Sequence, residues 1–485
     1  MPDDEFIIDD FIENFKVLAA VPRPSKHEQR VSNRLKEWFE EAGFEVRRNL
    51  VRDLFIDIPA TPGYEELPLT ILQSHIDMVC VAADGNSNYD PVKDPIRFNI
   101  DKKQGIMTAD GTSLGADDGA GVALIMSIVK GKCDHGPLRI ILTTDEESGM
   151  SGALAVTAEN LAGAKYLINI DSEESDTVTV GSAACTDIIV TKKPEVKPSK
   201  GKKALMLTIS GLLGGHSGLE IGENRCNAII AMAKILNKLG KHYKFGLASL
   251  SGGTAINAIP ARSEAEIVVK KSDIKEIRAA VKQYAKKLKK KYKGTEPNFK
   301  LTVKESDTPP KPVLKRHLTD SIMKYIIYSW NGAFCMSENM EGLIDSSSNL
   351  GTASINKNEI RLVHMARGSS GKRILQTEWH QKDLGMYYGL DVEIHHAAKA
   401  WPVNPDSWLV SVMTDAYREL FHEEMKVEAT HGGLECGAFA ALNGELDMIS
   451  IGADIKAIHS PDETLYLASV PKVFRLIEKT LANLK

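Results

Sequence analysis

At 485 residues the chain is too long for one ordinary core and divides into at least two domains. Hydrophobic residues at 43% and charged residues at 26% are ordinary for a folded soluble protein, and a net charge of -5 gives no reason to expect nucleic acid or an anionic membrane as partner. The six cysteines (Cys80, Cys133, Cys185, Cys226, Cys335, Cys436) make no C-x-x-C pair, which sets aside zinc knuckles and a disulfide framework and makes a reducing cytoplasm the default. The acidic start MPDDEFIIDD lacks the basic start and apolar core of a signal peptide. No apolar run approaches the roughly 18 residues of a membrane helix.

Along the chain, helical periodicity covers Val31 to Ala42 and precedes strands near Glu45 and Leu67. A helix follows Asp118 through Val129; its segment GAGVALIMSIV is apolar nearly all round and is expected to be buried. Strands at Leu138 to Thr143 and Tyr166 to Ile170 continue a βαβ series, so the first domain is α/β with a mostly parallel, helix-covered sheet.

The pattern breaks at the Lys/Pro-rich connector Thr191 to Lys203. Beyond it come strand Ala204 to Ser210, helix Asn224 to Leu239, strands Phe245 to Ser251 and Arg262 to Lys270, a helix from Asp273 to Tyr292, and strand Phe299 to Val303. This β-α-β-β-α-β order is ferredoxin-like, and Asp273 with Glu276 fits a capping box. After the breaker SDTPPKP the order recurs: helix His317 to Trp330, strands Ser347 to Ile355 and Glu359 to Ala366, helix Gly371 to Gly389, strand Asp391 to Ala397. The first strand of this second copy has no clear candidate. From Trp401 the α/β pattern returns with helix Trp408 to Phe421, strand Met448 to Ile451 and a closing helix from Pro471. The expected organisation is a catalytic domain over residues 1–186 and 403–485, interrupted at 187–402 by an α+β lid domain of two ferredoxin-like units.

Chemistry-bearing residues follow the apolar runs. His75 and Asp77 follow Leu67 to Leu72, Asp117 lies in GTSLGADDGAG, Glu146 and Glu147 follow LRIILTTD, Asp171 follows KYLINI, and His459 closes IGADIKAIHS. Ligands of open α/β sheets bind beyond the strand carboxyl ends. Several hard-to-bury groups aimed at one crevice are most simply tolerated by a metal centre. Two divalent ions roughly 3.5–4 Å apart commonly activate one water for hydrolysis. The sequence offers His75 and Asp171 for one ion, Glu147 and His459 for the other, and Asp117 to bridge. Asp77 can orient the His75 ring, and Glu146 remains as the free base. Taken singly, H-x-D is most often a solvated pair, Glu-Glu a helix start and Asp117-Asp118 a cap; the convergence of all the segments is what favours the metal reading.

SHIDMV, GADDGAG, TTDEESG, INIDSEE and AIHSPDE resemble, in order and spacing across almost the whole chain, the co-catalytic zinc peptidases that include aminoacylases, glutamate carboxypeptidases and bacterial di- and tripeptidases. GLLGGHSGLEI, GGLECGAF and the enlarged insert are most similar to the branch cleaving aminoacyl-histidine dipeptides. The resemblance implies the same ligands and base, a cis peptide between Asp117 and Asp118, and two divalent ions, zinc foremost, with manganese or cobalt also accepted by such donors. The family pattern often has Lys after the paired Asp, where this chain has Gly119.

By similarity His216, in the turn GGHSG, donates to the oxyanion of a tetrahedral intermediate. Asn257 in INAIP contacts the substrate backbone, and Arg367 in MARGSS grips its carboxylate, with Arg361 as a competitor. Glu435 in GGLECG meets the free amino group, or else caps a helix. The expected activity is hydrolysis of small peptides, Xaa-His dipeptides foremost, with Glu146 acting as base and then acid. A homodimer is left open: single-insert relatives take the lid histidine from a second subunit, and a doubled insert supplies it within one chain. A deacylase or carboxypeptidase of acylated amino acids is the nearest rival, and a metal-stabilised binding protein the rival from another class. Lys286 to Lys293 reads as a solvated helix face, and Cys436 as a small packed residue rather than a nucleophile.

Overall fold

The computed structural model describes residues 3–86, 88–131, 133–199, 203–306, 311–338 and 340–484. Residues 200–202 of the Lys/Pro-rich connector and 307–310 of SDTPPKP lie outside the described residues. The chain forms two compact units. One runs to Ser182 and resumes over Trp401–Ala429 and from Leu434; the other comprises Ala183–Ala400 with Thr430–Gly433. Among the described residues no helix is long and apolar enough to cross a membrane.

The first unit holds an eight-stranded sheet in the order Val46–Arg48, Leu54–Ile58, Leu138–Thr143, Leu69–His75, Ala164–Asn169, Asp447–Ser450, Thr177–Ser182, Lys426–Thr430. Its middle strands, from Leu138–Thr143 to Asp447–Ser450, pair in parallel. Their apolar runs are buried on both faces, as a helix-covered parallel sheet requires. The helix Ala116–Lys130 is buried almost throughout, as GAGVALIMSIV predicts. It packs on the strand Leu69–His75 and on the terminal helices Asp4–Ala19 and Ser469–Asn483.

The acidic start of the chain turns out to open a helix. Asp3 caps it by accepting from the Phe6 amide at 2.8 Å, Asp4 and Glu5 sit at the positive end of the helix dipole, and Ile7, Phe11, Phe15 and Leu18 fill one face. Because the parallel strands share one direction, their carboxyl ends carry His75, the turn that follows Thr143, and Asp171 to a common edge.

The main sheet of the second unit is antiparallel and built from two ferredoxin-like motifs, one nested in the other; a separate two-stranded sheet pairs Val196–Lys197 with Val313–Leu314. In chain order its main strands are β1 (Ala184–Thr191), β2 (Lys203–Ser210), β3 (Gly246–Gly252), β4 (Ser263–Val269), β5 (Lys300–Glu305), β6 (Ile344–Ile355), β7 (Ile360–Gly368) and β8 (Asp391–Ala398). They lie in the order β5-β2-β4-β3-β6-β7-β1-β8. Strands β2 to β5 form the inner motif with helices Ala228–Gly240 and Ile274–Lys291. Strand β1, helix Arg316–Tyr328, strands β6 and β7, helix Gly371–Tyr387 and β8 form the outer one. The first strand of the outer motif is therefore β1, which precedes the whole inner motif. The motifs join where β3 pairs with β6, Leu250 opposite Ile355.

The capping box expected at Asp273 is not formed. A 3-10 turn over Lys271–Asp273 leaves Asp273 in helical conformation, and its carboxylate accepts from Ser272 Oγ at 2.6 Å instead of from a helix amide. The lysines of KKLKKKYK are exposed, and Cys436 is fully buried in an apolar cluster with Phe55, Ile71 and Phe439.

Candidate metal centre

Three strand ends and two loops of the first unit bring their polar residues together. His75 ends its strand 1% exposed, with Nε2 3.2 Å from Asp117 Oδ1 and 3.3 Å from Asp171 Oδ1. Asp117 Oδ2 lies 3.0 Å from His459 Nε2, and the same nitrogen is 2.9 Å from the Glu147 carboxylate. One carboxylate thus spans two histidines, each with a further acid of its own. The groups His75/Glu146/Glu147, His75/Asp118/Asp171 and Asp117/Glu147/His459 each present ligand atoms within 4.8 Å of one another.

The peptide bond Asp117–Asp118 is cis. Asp118 is buried and its oxygens are engaged, Oδ2 by the His75 amide at 3.1 Å and Oδ1 by the Gly121 amide at 3.1 Å. That leaves Asp117 as the freer carboxylate of the pair. Asp77 lies 3.3 Å from His75 Nδ1 but out of line for a hydrogen bond. Its firmer contacts are with the Glu146 amide (3.0 Å), the Glu147 amide (3.3 Å) and Ser25 Oγ (2.8 Å). Asp77 therefore holds the turn carrying both glutamates as well as facing the histidine.

Burial and crowding shift the acids and the histidines of this cluster. Burial, reinforced by neighbouring carboxylates, pushes the Glu146 carboxyl well above the ordinary range and Glu147 up to about 7; Asp171 moves in the same direction, again mainly through burial. Burial opposes charge on both histidines, yet the surrounding acids outweigh it. Asp171, Asp117 and Asp77 hold His75 well above its usual value, and Asp117 with Glu147 carries His459 to about 11. Buried carboxyl groups thus outnumber the imidazoles beside them, and burial works against their ionising together. Imidazole nitrogens beside carboxylate oxygens, shared through Asp117, suit divalent ions such as zinc, manganese or cobalt.

A model of the peptidase family M20/M25/M40 matches residues 71–483. The chain belongs to that family. It is a metallopeptidase, a hydrolase whose cleavage of peptide bonds depends on metal. The cytosol non-specific dipeptidase of Escherichia coli (strain K12) is 32% identical over 475 residues, covering 97% of this chain and 96% of that protein. The crystal structure of aminoacylhistidine dipeptidase from Vibrio alginolyticus is similar with a TM-score of 0.85 at 30% identity, covering 98% and 96% of the two chains. A tripeptidase from Staphylococcus aureus shares the fold, with a TM-score of 0.57, 16% identity, and coverage of 99% and 98%. The α/β sheet and the antiparallel insert are thus those of an M20 peptidase.

The remaining predicted residues lie in the second unit, apart from Glu435. The turn carrying His216 is pinned to the loop carrying Asn257, since the Ser217 amide donates to Asn257 O at 2.7 Å and the Ile259 amide to Gly215 O at 2.8 Å. Asn257 is exposed. A methyl group at Gly218 would sit 3.0 Å from His216 Cε1 and 3.2 Å from Arg367 Cζ, so the glycine lets imidazole and guanidinium flank it. Arg367 is 4% exposed. Its Nη1 donates to Cys185 Sγ (3.0 Å) and His431 O (3.3 Å), its Nη2 lies against Met365 Sδ, Nε has no partner, and among the described residues it forms no ion pair. Arg361 sits at the other end of β7, opposite Thr191, so Arg367 is the arginine beside His216.

Glu435 is fully buried, its Oε2 accepting from Gln73 Nε2 and Thr143 Oγ1, both at 2.6 Å. Its Oε1 has no hydrogen-bond partner among the described residues, and no side-chain cap forms on the following helix. Two further residues, Arg23 and Glu463, carry no signal in the sequence. Both spend their charges on backbone groups, which no motif records.

Proposed function

We propose that this M20 peptidase is a dipeptidase that prefers Xaa-His substrates of the β-alanyl-histidine type and uses Glu146 as its general base and acid. His75 and Asp171 would hold one divalent ion, Glu147 and His459 a second, and Asp117 would bridge them. When bound, such ions polarise the scissile carbonyl and make water acidic enough to attack near neutral pH. The observation that carries the reading is the sharing of Asp117 between the two histidines, 3.2 Å from one and 3.0 Å from the other, with Glu146 adjacent.

Glu146 takes a proton from the attacking water and delivers it to the departing amine. Its amide donates to Asp77, which fixes the turn that presents the base. His216 donates to the developing oxyanion, Arg367 receives the substrate carboxylate in a bidentate contact, and Asn257 contacts the substrate backbone. Arg367 suits its part because a buried guanidinium without a carboxylate partner is left with charge to satisfy. Glu435 then supports Gln73 and Thr143 beneath the site.

The test is a dipeptide panel with Xaa-His members, run with zinc, manganese and cobalt beside an N-acetyl amino acid. Preferential turnover of β-alanyl-histidine is expected. Turnover of the acetylated compound alone would replace the dipeptidase reading with a deacylase one, and no turnover of any member with metal bound would rule out hydrolysis driven by Glu146.

A further inference from the structure

Arg23 and Glu463, each 2% exposed in the first unit, neither pair with an opposite charge among the described residues nor reach the metal cluster directly. Both act on one turn. Glu463 Oε2 accepts from the amides of Leu114 (2.7 Å) and Gly115 (2.8 Å), and Oε1 from those of Ala116 (2.8 Å) and Asp117 (3.2 Å). A single carboxylate therefore collects four successive N–H groups of the turn that leads into the helix Ala116–Lys130, whose backbone leaves helical conformation at Asp117 and Asp118. Glu463 stands four residues beyond His459, so the loop that carries one histidine also grips the turn that carries Asp117.

Arg23 grips the same turn from its carbonyl side. Nη1 donates to Ile76 O (3.0 Å) and Asp77 O (2.7 Å), and Nη2 donates to Gly115 O. The chain around Arg23 is itself tied to this loop, Met78 N donating to Arg23 O at 3.1 Å. Gly115 is thus held through its N–H by Glu463 and through its C=O by Arg23. The glycine is required twice over: its φ is +71°, and a Cβ there would lie 2.7 Å from Arg23 Nη2. A Cβ at Gly119 would lie 2.5 Å from the same nitrogen. The guanidinium fills the volume that a side chain at 119 would enter, which gives the absence of the Lys expected there a physical reason.

We infer that Arg23 and Glu463 are positioning residues that clamp the turn 114–117 from its two polar sides and set the bridging carboxylate of Asp117 between His75 and His459 before a metal ion binds. The inference rests on the metal assignment proposed above. Outer partners that orient ligands commonly govern metal affinity by about 10–100-fold.

In Glu463→Gln the side-chain NH2 would face two backbone donors, releasing half of the grip. Arg23→Met leaves three carbonyls without their donor, Arg23→Lys returns the charge but not the fork, and Gly119→Ala pushes the guanidinium aside. The readouts are Co2+ affinity and stoichiometry by calorimetry, the visible absorption of bound Co2+, and the unfolding temperature of metal-free protein. We expect Glu463→Gln and Arg23→Met to bind Co2+ about 10–100-fold more weakly with an altered absorption band, and kcat to fall while KM stays near its wild-type value. Arg23→Lys should recover part of the loss. Gly119→Ala should weaken Co2+ binding in the wild-type background but not further in Arg23→Met, because the two changes act through one contact.

Folded variants with wild-type Co2+ affinity and spectrum would overturn the inference, whatever their unfolding temperatures. If Glu463→Gln and Arg23→Met fail to fold, Arg23→Lys and Gly119→Ala decide by the same measurements. A wild-type protein that binds Co2+ tightly but cleaves no dipeptide would sink the proposed activity while leaving this test standing.

Discussion

The two units each contain a buried polar cluster with unbalanced charge, and the imbalances have opposite sign. In the first unit, carboxylates crowd around His75 and His459, and burial drives Glu146, Glu147 and Asp171 upward. In the second, Arg367 is buried with Cys185, Met365 and a carbonyl as its neighbours and no carboxylate among its described partners. Leaving a buried charge uncompensated is costly, so such clusters persist where something else completes them. On the proposed reading one unit receives cations and the other an anion. A metal-dependent peptidase needs both.

Four measurements probe that contrast. The largest effect is expected for Glu146→Gln, which should lower kcat by about 10²–10⁴-fold while both ions stay bound; a variant retaining most of its turnover would remove Glu146 from the chemistry. Arg367→Met should raise KM for dipeptides by roughly 10- to 100-fold, the range of a charged hydrogen bond, and leave metal content unchanged. An unaltered KM would take the anion site out of the second unit.

The third concerns protons. Metal-free His459 is held up at about 11 because Asp117 and Glu147 outweigh the burial that opposes its charge. Below that value an ion must displace the proton before the imidazole can donate, so apparent metal affinity should rise with pH, by ~tenfold per unit for one displaced proton. Calorimetry in buffers of different ionisation heat would detect the release, and heats independent of buffer would contradict it. The smallest effect is on Glu435, whose folded-state value burial raises from 4.5 to about 8. A raised carboxyl contributes stability that is fully present below its unfolded value and lost as pH rises through its folded one. Glu435→Gln should therefore gain in melting temperature over metal-free wild type at pH 8 and not at pH 4. An equal gain at both would show that Glu435 does not titrate in this window.

The parts legible in the sequence were those where burial and chemistry alternate within a few residues. LTILQSH, LRIILTTDEE and KYLINID each show a two-sided buried strand ending in a group that needs a partner, so the parallel sheet and the polar cluster at its edge can be read from them. The nested motif was not legible in this way. β1 pairs with β7 and β8, and nothing local in ACTDIIVT names partners that lie across the whole inner motif. Arg23 and Glu463 escaped for a different reason. Their partners are peptide groups, identical in every sequence, and only the turn geometry at Gly115 brings them within reach. The Asp273 capping box misled because local spacing cannot foresee a 3-10 turn that removes the extended backbone a cap requires.

On the proposed assignment, residues from distant parts of the chain share one binuclear centre through Asp117. Crystals soaked in zinc, with anomalous scattering recorded at the zinc edge, test it most directly. Two peaks are expected in the first unit, one between His75 and Asp171 and one between Glu147 and His459, each within bonding distance of an Asp117 oxygen. A single peak, or two that do not share Asp117, would contradict it.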